Sequence, residues 1–137
     1  MSRKTVLIVD DDPDVRLSLH VRLKANHYDV ILAADGTTCI AEARKQIPDL
    51  IILDLGLPAG DGFSVMERLK ANDSLSLIPV IVVSARDRKA NMDRALQAGA
   101  KAFLQKPVDN TQLLSVIRKV LGEKDHTPAV VHDLGDV

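Results

Sequence analysis

Residues 50–62 read LIILDLGLPAGDG, and this stretch decides the fold. Four branched apolar residues run without polar alternation, stop at the acid Asp54, and give way to a loop with three glycines in eight residues. A short apolar run with no polar face suits a strand buried on both sides. Such strands belong to parallel sheets covered by helices. Residues 78–85, IPVIVVSA, repeat the pattern and end at Ser84. A buried helix is the rival for so short a run, but the β-branched content favours strands.

Working outward, further short apolar runs lie at residues 5–9, 29–33 and 101–104, with helical patterns between all of them. Asp12 caps a helix with Pro13 at its first position, predicted over 13–24. The second helix is predicted over 37–46, with Ile40 and Ile47 on one stripe. The third is predicted over 63–70, with Phe63, Met66 and Leu69 on one face. The fourth, over 88–98, turns Met92, Ala95 and Leu96 inward and stops at Gly99. The fifth is capped by Asp109, carries Leu113, Ile117, Val120 and Leu121, and closes at Gly122. Strict strand–helix alternation predicts an α/β domain: a parallel sheet of five strands with helices on both faces.

Composition narrows the chemistry. The 137 residues suit one domain, and 46% apolar content excludes general disorder. Eighteen basic against nineteen acidic side chains leave a net charge of −1, too little positive charge for a nucleic-acid grip. One cysteine excludes a disulfide framework and multi-thiolate metal sites. Aromatics at 2% argue against base-stacking platforms. With no long apolar leader or span, a cytoplasmic location is expected. Residues 1–122 are expected to form the domain and 123–137 a tail or the start of a linker. The histidines His27, His126 and His132 are read as solvated, and Cys39 as inert.

In an open parallel sheet, chemistry collects at the carboxyl ends of strands. Strand one ends in Asp10, Asp11 and Asp12, strand three in Asp54, strand four in Ser84, and strand five runs into Lys106–Pro107. Clustered carboxylates repel and call for a cation. Oxygen ligands alone point to Mg²⁺, or Mn²⁺, not zinc. Asp54, flanked by a divalent ion and an ammonium, is then a plausible nucleophile toward a phosphoryl group. Ser84 and Lys106 each suit one phosphoryl oxygen, and the Gly56 carbonyl suits the ion. Asp12 fits a helix cap better than a third ligand. Lys106–Pro107 is a candidate cis bond.

At this point the chain resembles the receiver domain of two-component response regulators, the chemotaxis-regulator-like phosphoacceptor family. The resemblance rests on VLIVDDDP at 6–13, LIILDLGLPAGDG at 50–62, VIVVSA at 80–85 and GAKAFLQKP at 99–107, in that order, across residues 4–122. It implies a flavodoxin-like doubly wound sheet with strand order 2-1-3-4-5. It also implies that Asp54 accepts phosphate from a histidine kinase, a phosphotransfer protein or a small acyl phosphate. Asp11 would hold Mg²⁺ directly and Asp10 largely through water, with Asp54 and the Gly56 carbonyl completing the protein ligands. Ser84 matches the switching hydroxyl, Lys106 the active lysine, and Phe103, expected at a half-buried face, the aromatic that changes rotamer on phosphorylation. Gly56 and Arg86 stand at positions that tune dephosphorylation.

The output implied is a changed face on helix four, strand five and helix five, with Arg88, Lys89, Arg94, Arg118 and Lys119 supplying basic residues for a partner or a dimer. Direct nucleic-acid binding by this chain is not expected, nor membrane contact. Such a domain catalyses its own phosphotransfer and autodephosphorylation without being a conventional turnover enzyme. Two rival readings remain at this level. Asp10-x-Asp12 superficially matches a haloacid-dehalogenase-like Mg²⁺ phosphatase with Asp10 as nucleophile, but Pro13 and Asp14 follow it and Asp54 goes unexplained. The other rival is a receiver-like interaction module that does not use phosphorylation. No glycine-rich nucleotide motif is present.

Overall fold

The computed structural model describes residues 3–58 and 61–123. Five strands, β1 (Thr5–Val9), β2 (Asp29–Ala33), β3 (Leu50–Leu53), β4 (Val80–Ser84) and β5 (Ala102–Gln105), alternate with five helices. These are α1 (Pro13–Ala25), α2 (Gly36–Gln46), α3 (Gly62–Lys70), α4 (Arg88–Gln97) and α5 (Asn110–Val120). The strands form one parallel sheet in the order β2-β1-β3-β4-β5. The doubly wound architecture and strand order expected from the sequence are therefore present.

Alternate residues along each strand face opposite sides of the sheet. Leu7, Val9, Ile51, Leu53, Val82 and Phe103 join Ile40, Ala43, Phe63, Met66, Leu69 and Ala95 in one core, beneath α2, α3 and α4. Val6, Ile8, Leu50, Ile52, Ile81 and Leu104 join Leu19, Leu23, Leu113 and Ile117 in the other, beneath α1 and α5. The all-apolar strands of the sequence are thus apolar because both faces are covered. The helix α4 is the least anchored: its buried residue is Ala95, with Met92 packed at the margin.

Caps match the sequence signals. Asp12 and Asp109 accept hydrogen bonds from first-turn amides of α1 and α5, while Gly99 and Gly122 take positive φ after α4 and α5. Three local expectations are corrected. Helix α2 starts one residue earlier, at Gly36, because the Asp35 carboxylate accepts from the Thr38 amide. Ile47 leaves the helical stripe: it is the left-handed C-cap, φ 43°, and is 51% exposed. Strand β4 begins at Val80, not 78, because Leu75 to Ile78 close a turn and Pro79 has no amide to donate. Of the segment 123–137, Glu123 is described and is tied to the domain: its Oε1 accepts a 2.7 Å bond from the Tyr28 hydroxyl. The histidines at 126 and 132 lie outside the described residues. His27 is exposed, at positive φ, after α1.

Candidate functional site

Sheet order reverses about β1, so a crevice opens between the carboxyl ends of β1 and β3. The register pairs Val9 with Leu53, which brings the next residues, Asp10 and Asp54, to the same level of the rim. The Asp54 amide donates to the Val9 carbonyl at 2.9 Å, extending the ladder into the site. Lys106 directly follows the end of β5, and the Lys106–Pro107 peptide after it is cis. Its Nζ lies 2.6 Å from Asp10 Oδ2 and 3.3 Å from Asp54 Oδ2.

Asp10 and Asp54 are each fixed at both oxygens. Asp10 Oδ1 accepts from the Asp12 amide at 2.9 Å, and Asp54 Oδ1 from the Gly56 amide at 3.1 Å. Asp10 and Asp54 are buried, Asp11 is exposed, and ligand oxygens of the three lie within 4.8 Å of one another. Burial raises the Asp10 carboxyl above its ordinary pKa. The Lys106 and Asp12 bonds oppose that shift and the Asp54 charge reinforces it. For Lys106 burial pulls the other way, but the Asp10 bond and the two carboxylate charges overcome it and raise the ammonium's pKa.

Three carboxylates with one ammonium leave two negative charges uncompensated, which is the charge of one divalent cation. The donors are all oxygens, and one of them, on Asp11, faces solvent. A hard, partly hydrated ion such as Mg²⁺ fits this set. A groove of about 540 Å³ lined by Val15, Leu19, Val83, Ala85, Pro107 and Val108 opens beside Lys106.

The matching family model is that of the response regulator receiver domain, over residues 6–118. The chain belongs to this family. Response regulator PleD of Caulobacter vibrioides is 39% identical to it over 116 residues, 84% of this chain but 25% of PleD. Protein PilH of Pseudomonas aeruginosa is 34% identical, with 85% of this chain matching 96% of PilH. The chain therefore spans about a quarter of one relative and nearly all of another. Among solved structures, a CheY-like receiver domain protein from Methanospirillum hungatei superposes with a TM-score of 0.82 at 30% identity, over 88% of this chain and 95% of that one. The receiver domain of a sensor histidine kinase from Pseudomonas aeruginosa, which has a magnesium ion coordinated in its active-site cleft, gives 0.81 at 28% identity, over 88% and 99%.

In this receiver domain the expected site residues are placed as follows. Asp10, Asp11, Asp54 and Lys106 converge. Ser84 reaches the same rim, fully buried, its Oγ accepting from the Arg86 amide at 3.1 Å. Gly56 touches Asp54 through its N–H, a contact the sequence reading, which looked to its carbonyl, did not include. Arg86 does not turn to the acids: its guanidinium pairs with Asp61 at 3.6 Å. Phe103 is buried in the core beneath α4, not at a half-buried face, because β5 turns it inward beside Val82.

Four residues escaped the sequence reading. Asp61 caps α3 and pairs with Arg86; its position before a helical run was a legible cap signal. Gly62 lets its backbone pack on the end of β3, since a Cβ there would fall 2.7 Å from the Asp54 carbonyl oxygen. Arg16 donates to the Asp10 carbonyl at 2.7 Å and braces the β1–α1 turn. Gln105 bonds the β4–α4 loop. No pattern in the chain marks the last two.

Proposed function

We propose that the domain is a phosphorylation-controlled signalling switch, with Asp54 as the acceptor. The observation that carries this reading is the Asp54 carboxylate, held by the Gly56 amide and Lys106 at the β1–β3 crevice, beside an acidic pair with divalent-ion chemistry. Asp10, Asp11, Asp54 and the Gly56 carbonyl would hold Mg²⁺, which when bound offsets the negative charge of carboxylate and phosphoryl oxygens.

An Asp54 oxygen attacks the phosphorus of a phosphohistidine on a partner kinase or phosphotransfer protein, or of a small acyl phosphate. The P–N or P–O bond to the donor breaks, the electron pair leaves with the donor, and an aspartyl phosphate forms. Lys106 pairs with one phosphoryl oxygen, and Ser84 Oγ–H donates to another. Turning Ser84 toward the phosphoryl empties volume beside β4 and β5, where Phe103 repacks. The α4–β5–α5 face then changes for a partner or a second copy. The sparse burial of α4 supports it as the mobile element.

Water attacking the same phosphorus returns the carboxylate, so the domain catalyses its own phosphorylation and slow dephosphorylation. Gly56 and Arg86 set that rate: a Cβ at Gly56 would stand 3.9 Å from the Asp54 oxygens, and Arg86 is held aside by Asp61. Family membership and the engagement of Asp54 favour this reading over a phosphatase using Asp10 or a module without phosphorylation.

Incubation with Mg²⁺ and acetyl phosphate is expected to give one hydroxylamine-sensitive adduct on Asp54, absent with EDTA and in Asp54→Ala. An adduct that persists in that variant, or maps to Asp10, would overturn the assignment.

A further inference from the structure

The loop between β4 and α4 is bracketed from three sides. The Gln105 carboxamide Nε2 donates to the Ser84 carbonyl at 3.2 Å and to the Arg86 carbonyl at 3.0 Å. The orientation of this amide is fixed by chemistry, because both partners are carbonyls and only the nitrogen end can donate. The Lys106 amide donates to the same Ser84 carbonyl at 2.8 Å. On the far side, the Arg86 guanidinium reaches Asp61 at 3.6 Å. Inside the bracket, the Arg86 amide donates to Ser84 Oγ at 3.1 Å, so the hydroxyl is tied to its own loop.

Gln105 is the outward-facing residue at the end of β5, register partner of Ser84. Its side chain is exposed, so its two bonds to the loop are its visible contribution, and they span the residues on either side of Ala85. A displacement of the loop that shifts the Ser84 or Arg86 carbonyl stretches one or both of them.

We propose that Gln105 is a positioning residue that restrains the β4–α4 loop, keeps the Ser84 hydroxyl engaged with the Arg86 amide, and so lowers the affinity of the site for a phosphoryl group. This rests on the reading of Asp54 as acceptor and Ser84 as its hydroxyl donor. Two carbonyl bonds favour the resting loop. Removing them lowers the cost of the rearranged loop without touching any group at the acid cluster.

The test uses Gln105→Ala and Gln105→Met. Methionine keeps the reach of glutamine, is neutral and cannot donate. Affinities for Mg²⁺ alone and for beryllofluoride with Mg²⁺ are measured by calorimetry, with the amide resonances of residues 84–88 followed by NMR. Both variants are expected to bind beryllofluoride about 3- to 10-fold tighter than the wild type. Their Mg²⁺ affinity should stay within about twofold, since no ligand is altered. Before fluoride is added, their loop resonances should lie displaced along the line from free to fluoride-bound positions, a signature that general destabilisation does not produce. Unchanged or weaker beryllofluoride binding in both variants overturns the restraint and leaves the Asp54 reading standing. A wild type that binds Mg²⁺ but no beryllofluoride overturns the Asp54 reading and the restraint with it.

Discussion

Lys106 is bonded more closely to Asp10, at 2.6 Å, than to Asp54, at 3.3 Å. The ammonium thus serves first as counter-ion to the more buried acid, leaving Asp54 the more weakly held of the two. Removing the ammonium leaves buried carboxylates facing one another. Lys106→Met is expected to lower stability by about 1–3 kcal/mol without divalent ions. Mg²⁺ should then restore more stability to the variant than it adds to the wild type. Urea denaturation in EDTA and in Mg²⁺ checks this; an equal loss in both media would contradict the counter-ion role.

Tyr28 and Glu123 make a second long-range pair, at 2.7 Å, between the start of β2 and the end of the domain. Burial first, then the bond and the charge of Glu123, push the phenol well above its ordinary value of 10.0. The folded state therefore holds this proton more tightly than the unfolded chain. Its contribution to stability is complete below the ordinary phenol range and is lost as the pH climbs through the raised value. With one tyrosine and no tryptophan, near-ultraviolet tyrosinate absorbance reads this group alone. Native protein should show none at pH 10 to 11, and Glu123→Gln should bring the onset down without reaching the ordinary value, because burial remains. An onset at the ordinary value in the native wild type would refute the pairing.

The two described glycines of the loop after Asp54 are expected to differ sharply. A Cβ at Gly62 would sit 2.7 Å from the Asp54 carbonyl oxygen and from Leu55 Cα, both backbone atoms that cannot yield cheaply. Gly62→Ala is expected to cost about 1–3 kcal/mol by overpacking and to slow phosphorylation by displacing Asp54. Gly56→Ala meets ordinary contacts at 3.9 Å and should leave stability within about 0.5 kcal/mol. Thermal melts of the pair decide the matter, and equal losses would show that the close approach is not what constrains Gly62.

Cys39 is fully buried in α2, and burial pushes its thiol up to about 12. Native protein should resist a soluble thiol reagent at neutral pH, with labelling following the rate of unfolding in denaturant. Rapid stoichiometric labelling of the native state would show that α2 opens locally.

The legible part of this protein was its apolar patterning. The unbroken run at β3, the cap at Asp12 and the stops at Gly99 and Gly122 are local signals, and they appear where they were expected; the run at β4 forms its strand two residues late, after Pro79. Errors arose where one residue serves two purposes. Ile47 continues the helical spacing but ends the helix in a left-handed turn, since closing α2 onto β3 outweighs burying one side chain. Phe103 was read as half-buried because periodicity along a short edge strand does not show how far α4 covers it.

The sequence by itself determined the order of strands and helices and the acids, hydroxyl and lysine that end the strands, because hydrophobic period and capping act over a few residues. Tertiary structure alone decided the pairings: Lys106 with Asp10 across 96 positions, Arg86 with Asp61, Gln105 with the Ser84 and Arg86 carbonyls, Tyr28 with Glu123. These depend on sheet register and loop path. Both are set by burial of the whole core, so a partner distant in the chain leaves no trace in the pattern around either residue.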